Sequence, residues 1–261
     1  MITDEERLAS QILEDFEIKR TPVNVFEIAR REKIKLCPTS AGLDFCGRLE
    51  FAHDLGRFLL FHPDTSDAEE NPRIRFSVGH ELGHYYIETH REHLIGGGNA
   101  HSSSAGFICD KKMELQADAF AAGLLIPERT LKSRMAMRRD GFLTLKELLR
   151  LAEECKASRE SAAIRYVKYT EEKCIAVVSR EETVLYAASS DDAERIKLLV
   201  KRGATVPSHS AAMRTQRGEI VENEIDGAEW VPWTRVRKLS EESISLGYGG
   251  LALTLLAYVE T

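Results

Sequence analysis

The sequence predicts an α+β protein whose first two thirds are rich in helices and whose last third is rich in strands. Apolar side chains recur at helical spacing in residues 5–17, 73–89 and 111–125. Two short apolar stretches, 43–51 and 56–61, flank a turn and predict a strand pair. After residue 173 the apolar runs have strand length, at 174–178, 183–188, 219–225 and 243–259.

The first predicted elements form a helix, a second short helix and three strands. Leu8, Ile12 and Phe16 share one face of the first helix, because they are spaced four residues apart. A strand at 33–37 follows the second helix and precedes the strand pair. A polar loop is predicted at 64–72, before the helix that begins at residue 73.

A long loop separates the two central helices. Glycines and serines are concentrated between residues 96 and 106, and loops of this length are usually functional or mobile. Pro127 ends the following helix at 111–125. Residues 129–170 predict further helices, and a helix at 191–201 interrupts the later strands.

The bulk composition predicts a cytoplasmic protein with no membrane partner. A net charge of −6 gives no overall attraction to phosphate backbones. The five cysteines are scattered, odd in number and without a C-x-x-C pair, so a disulfide framework is not expected. The N-terminus is acidic and lacks the apolar core of a signal peptide, and no apolar run approaches the roughly 20 residues of a membrane span.

The chemistry of the chain is indicated by an H-E-x-x-H motif at residues 80–84. His80 and His84 are four residues apart on a predicted helix, so both imidazoles can bind one ion. Glu81 is one step round the helix and can approach a water molecule beside that ion without binding the ion itself. This is the position that a general base needs.

Two histidines do not complete a catalytic zinc site, which usually has three protein ligands. Glu114 on the next helix can be the third. Asp118, one turn later, can accept the second ring N–H of a ligating histidine and fix its tautomer. Three histidines are rival third ligands: His90, His93 and His101.

The simpler interpretation is an amphipathic surface helix with two solvated histidines. A catalytic metal site is favoured because the motif lies on a helix with an apolar face, follows a strand pair and is followed by E-x-x-x-D on a separate helix. Gly83 also keeps the space between the two histidines open.

Two segments carry a resemblance to a known family: RFSVGHELGH at residues 75–84, and ELQADAFAA at 114–122 with LLIP at 124–127. In this order they resemble the ImmA/IrrE family of metallopeptidases, whose pattern is R-F-[ST]-x-x-H-E-[LI]-G-H followed by E-x-x-A-[ND]-x-F-A. The resemblance covers residues from about 20 to 127 and extends through a helical segment at 156–166.

The resemblance implies three parts. These are a gluzincin-like zinc peptidase domain at 1–127, a helical, helix-turn-helix-like segment at 128–172 and a smaller α+β, GAF-like domain at 173–261. Carried onto this chain, the family pattern makes His80, His84 and Glu114 the metal ligands and Glu81 the base. Ligands of this kind can bind manganese as well as zinc.

The resemblance also implies a substrate. Family members cleave DNA-binding repressors to switch on stress-response or mobile-element genes. This chain is accordingly expected to be an endopeptidase that cleaves a helix-turn-helix repressor and induces a stress response of the DNA-damage type.

The donor that stabilises the oxyanion is left open by the sequence. Five residues are near enough to be candidates for contacts with the oxyanion or the substrate: Tyr85, Tyr86, His90, His93 and His101. Helix packing is the simpler role for the two tyrosines. The predicted strand at 56–61 can either pair with an extended substrate or be an ordinary sheet strand.

Two non-proteolytic alternatives remain. Residues 129–170 contain 11 basic and 5 acidic residues, which suggests DNA binding, although a solvated face or a dock for an acidic protein is favoured over DNA. A small-molecule sensor is the other alternative, with Trp230, Trp233 and Tyr248 lining a pocket. Core and turn positions are the simpler interpretation of these aromatic residues.

Overall fold

The computed structural model describes residues 2–40, 47–97, 111–138, 142–215 and 218–259, together with the backbone of residues 101–102. The chain divides into two compact units. We call residues 2–130 with 153–158 the N-terminal unit, and residues 131–152 with 159–261 the C-terminal unit. Helices and strands are mixed in both, as the sequence predicts. The three-part division at residues 127 and 172 stays a prediction.

The N-terminal unit contains five complete helices, counted over the residues described, and their starts are encoded locally. Thr3 caps the first helix in a capping box with Glu6, and Asn24 caps the second. Asn71 caps the third helix, whose first residue is Pro72. The helices are α1 (Asp4–Asp15), α2 (Val25–Arg31), α3 (Pro72–Tyr86), α4 (Glu88–Ile95) and α5 (Lys111–Leu125).

A mixed sheet completes this unit. Its strands are β1 (Lys35–Thr39), β2 (Arg48–Ala52), β3 (Arg57–Pro63) and β4 (His101–Ser102), in the order β1-β3-β2-β4. Strand β1 runs parallel to β3, whereas β2 is antiparallel to β3 and β4. Residues 59–61 of β3 are paired on both sides, by β1 and by β2. The suggestion that this strand pairs with an extended substrate is therefore wrong.

Helices α3 and α5 pack closely because small residues face each other. A Cβ atom on Gly79 would lie 3.4 Å from Ala121 Cβ, which is ordinary contact. A Cβ atom on Gly83 would lie only 3.0 Å from Ala117 Cα. Phe120, Leu124 and Leu82 are fully buried in the surrounding core.

The N-terminal turn of α3 is fixed by a buried arginine. The Arg75 guanidinium donates to the carbonyl oxygens of Val23 at 2.7 Å, of Glu69 and Lys156 at 3.1 Å, and of Cys155 at 3.4 Å. Burial lowers the pKa of Arg75. The side chain thus ties four carbonyl groups, from three separate segments of the backbone, to the helix that carries the H-E-x-x-H motif.

The predicted helix at 73–89 is two helices in the structure. Helix α3 ends at Tyr86, Ile87 has an extended backbone (φ −74°, ψ 112°), and α4 begins at Glu88. The amide of Ile87 still bonds to Gly83, while its own carbonyl accepts from His90 and starts the next helix. This break changes the direction of the chain directly after the motif.

The C-terminal unit is built on an antiparallel sheet of order β6-β5-β9-β8-β7. Its strands are β5 (Cys174–Arg180), β6 (Thr183–Ser189), β7 (Ile220–Ile225), β8 (Leu239–Ser245) and β9 (Leu251–Tyr258). Helices α8 (Arg159–Tyr169), α9 (Asp191–Arg195) and α10 (Gly227–Trp230) and a short 3₁₀ helix (Ala211–Arg214) belong to the same unit. Helices α6 (Glu128–Ala136) and α7 (Leu145–Cys155) contain residues of both units.

A buried carboxylate organises the C-terminal unit. Glu241 accepts hydrogen bonds from Ser210 Oγ at 2.9 Å, Ala211 N at 2.8 Å, Asn223 Nδ2 at 2.8 Å and the indole N–H of Trp230. Trp230 is therefore a core residue. The other two aromatic residues suggested for a pocket are not core residues, because Trp233 is 57% exposed and Tyr248 is 59% exposed.

Among the described helices, none combines the length and the apolar character that a bilayer span requires.

Candidate metal centre

Three potential metal ligands converge between α3 and α5. The Nε2 atoms of His80 and His84 are 3.1 Å apart. Glu114 Oε2 lies 3.2 Å from His80 Nε2, and its other oxygen, Oε1, lies 3.5 Å from His84 Nε2. The two imidazoles are buried and the carboxylate is partly exposed. The residues that the sequence singled out as a ligand set thus form one cluster.

The size of this cluster fits a small divalent cation. Ligand atoms about 2.0–2.1 Å from a tetrahedral ion lie about 3.3–3.4 Å from one another. The two imidazole nitrogens are 3.1 Å apart, and each lies 3.2 or 3.5 Å from the nearer oxygen of the Glu114 carboxylate, which is close to that value. Two imidazole nitrogens and a carboxylate oxygen are also a donor set that zinc accepts in catalytic sites. The residues present therefore fit the ion that the motif implies.

Glu81 is fully buried on the same helix as the two imidazoles. A Cβ atom on Gly47 would lie 3.4 Å from Glu81 Cγ and 3.5 Å from Glu81 Oε1. The chain just before β2 therefore lies directly against the carboxylate. This contact could not be predicted, because Gly47 is distant in sequence from the motif and belongs to no recognisable pattern.

Each imidazole of the cluster has its own outer partner. His80 Nδ1 lies 2.9 Å from Asp118 Oδ1, the contact that the spacing of Glu114 and Asp118 predicts. Burial disfavours the charged form of His80. Hydrogen bonds to Asp118 and Glu114 more than offset this, and raise the pKa of His80 to about 10.

His84 has a different partner, His90, which the sequence suggested as a rival ligand or as a contact with the oxyanion or the substrate. His84 Nδ1 lies 3.1 Å from His90 Nδ1, and His90 is fully buried. Burial lowers the pKa of His90. The break at Ile87 brings this ring back toward the motif. No glycine or proline marks that break, so only the geometry reveals the contact.

The other candidates for oxyanion or substrate contacts are placed differently. The hydroxyl groups of Tyr85 and Tyr86 both donate to Glu32, at 2.8 and 2.9 Å. Burial, followed by the bond to Glu32, raises the pKa of Tyr85 to about 12. His93 is exposed on α4. The backbone of residue 101 lies in β4, and its side chain is outside the described residues.

The part of the chain that carries this cluster is similar to a known family. Residues 65–166 match the family model of the IrrE N-terminal-like domain, peptidase M78. This match spans α3, α5 and the whole ligand cluster, and confirms the resemblance to the ImmA/IrrE family. A metallopeptidase family implies a metal ion, for which His80, His84 and Glu114 are available ligands.

A solved structure resembles the chain over most of its length. It is titled a Mycobacterium tuberculosis transcriptional regulator, and the match covers 98% of this chain and 76% of that one, with a TM-score of 0.62 at 12% identity. At this identity the likeness concerns the fold. The curated proteins contain no match to this chain.

Proposed function

We propose that the N-terminal unit is a zinc-dependent endopeptidase in which Glu81 is the general base. The observation that carries this proposal is the convergence of two imidazoles and one carboxylate at 3.1–3.5 Å, with a fully buried glutamate beside them on the same helix. A merely structural metal site has no need of that fourth residue.

The ligand residues and the base have different roles in the proposed reaction. His80, His84 and Glu114 would hold zinc, or manganese, which accepts similar donors. When bound, the ion supplies Lewis-acid polarisation of the scissile carbonyl and lowers the pKa of water. Glu81 takes a proton from the attacking water onto its carboxylate and gives it to the amine that leaves. Burial against Gly47 holds this carboxylate in one place.

The proposed substrate is a helix-turn-helix repressor, whose cleavage would induce a stress response. This part of the proposal is motivated by the family resemblance, since members cleave DNA-binding repressors. The gluzincin and GAF-like descriptions of the two domains have the same basis.

The decisive experiment compares the wild-type chain with Glu81→Gln. Both proteins, loaded with zinc, are incubated with purified helix-turn-helix repressors from the source genome, and fragments are identified by mass spectrometry. We expect a discrete cleavage by the wild type, none by Glu81→Gln and equal zinc content in both. Cleavage retained by Glu81→Gln would reject the assigned base.

A second candidate is a DNA-binding or small-molecule-sensing regulator whose metal centre is not proteolytic. The observation that favours it is the fold shared with a protein titled a transcriptional regulator. Several basic side chains of segment 129–170 are paired with carboxylates, which weakens the case for DNA. These pairs are Arg138 with Glu147, Lys156 with Glu70 and Lys168 with Glu194. Steeply salt-dependent DNA binding without any cleavage would favour this second candidate.

A further inference from the structure

The partner of the second ligand histidine belongs to a series of hydrogen bonds that is buried at His84 and His90 and partly buried at Gln116 and Glu5. His84 Nδ1 meets His90 Nδ1 at 3.1 Å, and His90 Nε2 meets Gln116 Oε1 at 3.4 Å. Gln116 Nε2 then donates to Glu5 Oε1 at 2.6 Å. The series links α3, α4, α5 and α1 within the N-terminal unit. Neither the motif nor the family pattern used above includes His90.

The direction of these bonds is fixed by the atom that faces the ligand cluster. His84 presents Nε2 to His80 and Glu114, so a metal ion needs the lone pair on that nitrogen. The ring proton must then be on Nδ1, which donates to His90. His90 Nδ1 consequently has to be an acceptor.

The rest of the series provides the hydrogen-bond acceptor that a neutral His90 requires. With Nδ1 as acceptor, a neutral His90 carries its proton on Nε2, facing the carbonyl oxygen of the Gln116 amide. The amide nitrogen of Gln116 in turn donates to a carboxylate oxygen of Glu5. Every donor meets an acceptor in one direction only, from His84 to Glu5. The arrangement therefore selects the tautomer in which His84 can bind a metal.

We infer that His90 is a positioning residue for the metal centre, holding His84 in the tautomer and ring orientation that place its Nε2 at the ion. Gln116 and Glu5 hold His90 in the complementary state. This inference rests on the proposed function in so far as His84 is a metal ligand. The two ligand histidines then have unlike supports, a carboxylate for His80 and a neutral imidazole for His84.

The test compares three variants of the full-length chain by zinc competition with a chromophoric chelator. His90→Leu removes the acceptor while keeping an apolar side chain in the buried position. His90→Gln restores a carbonyl acceptor. His93→Leu is the matched control, since this residue lies on the same helix and is exposed. Thermal melting of the zinc-free proteins reports folding separately from zinc binding.

We expect His90→Leu to weaken zinc binding about 10–100-fold, as loss of an outer partner typically does. His90→Gln should recover most of that loss, and His93→Leu should bind as the wild type does. In ¹⁵N spectra of labelled imidazoles, the zinc-loaded wild type should show His84 protonated at Nδ1 and bonded to zinc at Nε2. A merely structural role for His90 would not make zinc affinity depend on an acceptor at this position.

The outcomes separate the two proposals. Zinc binding by His90→Leu equal to the wild type overturns the role of His90, as does a His90→Gln variant as weak as His90→Leu. If the wild type binds no zinc, both this inference and the proposed function fail. If it binds zinc through Nε2 of His84, responds to His90 as expected and yet cleaves no protein, only the proposed function fails.

Discussion

Replacing Gly83 by alanine should damage the metal centre without touching any of its ligands. The new Cβ would lie 3.0 Å from Ala117 Cα, 3.2 Å from Ala117 O and 3.3 Å from Ala117 Cβ. Two of these atoms are helix backbone, which cannot turn aside as a flexible side chain can. Non-bonded carbon atoms prefer about 3.5–4.0 Å, so α5 must move away from α3 by about 0.5–1 Å.

The displacement predicts how much the affinity for zinc falls. Glu114 is one turn before Ala117 on α5, so its carboxylate moves with the helix and away from imidazoles that it now approaches to 3.2 and 3.5 Å. Metal–ligand distances tolerate deviations of only about 0.2 Å. We therefore expect zinc to bind about 10–100-fold more weakly, a loss of about 1.4–2.8 kcal/mol.

Gly79→Ala is the matched control, one turn earlier on the same face of α3. Its Cβ would meet Ala121 Cβ at 3.4 Å, which is ordinary contact. Both substitutions gain about 0.5–1 kcal/mol of helix stability from replacing glycine. Only Gly83→Ala also has the clash. Zinc affinity by chelator competition and thermal melting of the zinc-free protein are measured for both variants.

The expected pattern is lower zinc affinity and a lower melting temperature for Gly83→Ala, with neither loss for Gly79→Ala. The reasoning is refuted if Gly83→Ala binds zinc as tightly as the wild type and melts no lower than Gly79→Ala. In that case the approach of α5 to α3 would not be what holds Glu114 against the two imidazoles.

Three further substitutions test other parts of the structure. Arg75→Met should lower the free energy of unfolding, measured in urea, by about 3–5 kcal/mol, because it leaves buried carbonyl groups without a donor; a loss under about 1 kcal/mol would contradict this. Asp118→Asn should weaken zinc binding about tenfold by removing the charged partner of His80, whereas unchanged affinity would argue against that role. Glu241→Gln should lower the free energy of unfolding by about 2–3 kcal/mol, because an amide N–H replaces an acceptor oxygen. Unfolding is followed by Trp230 fluorescence, and an unaltered midpoint would contradict this expectation.

The helix that carries Glu114, the proposed third ligand, could be predicted well from the sequence. Its structural bounds, Lys111–Leu125, agree with the helix predicted at 111–125, because Pro127 and the apolar spacing mark its end. The same periodicity placed His80 and His84 on one face of α3. Local pattern was sufficient for these features, since each depends only on residues one or two turns apart.

Other features depended on contacts that no local pattern shows. The predicted helix at 73–89 ends early because Ile87 adopts an extended backbone, and this break brings His90 to His84. The predicted helix at 191–201 ends at Arg195, before Lys197, whose φ is +59°. The stretch 243–259 contains a turn with three glycines at positive φ between β8 and β9.

The binding of one divalent cation by His80, His84 and Glu114 is tested most directly by anomalous diffraction at the zinc edge from crystals of the zinc-loaded protein. We predict a single peak about 2.0–2.1 Å from Nε2 of both histidines and from a carboxylate oxygen of Glu114, absent in crystals of Glu114→Ala. A peak bound by other residues, or density at Glu114 turned away from the two imidazoles in the presence of zinc, would contradict the account.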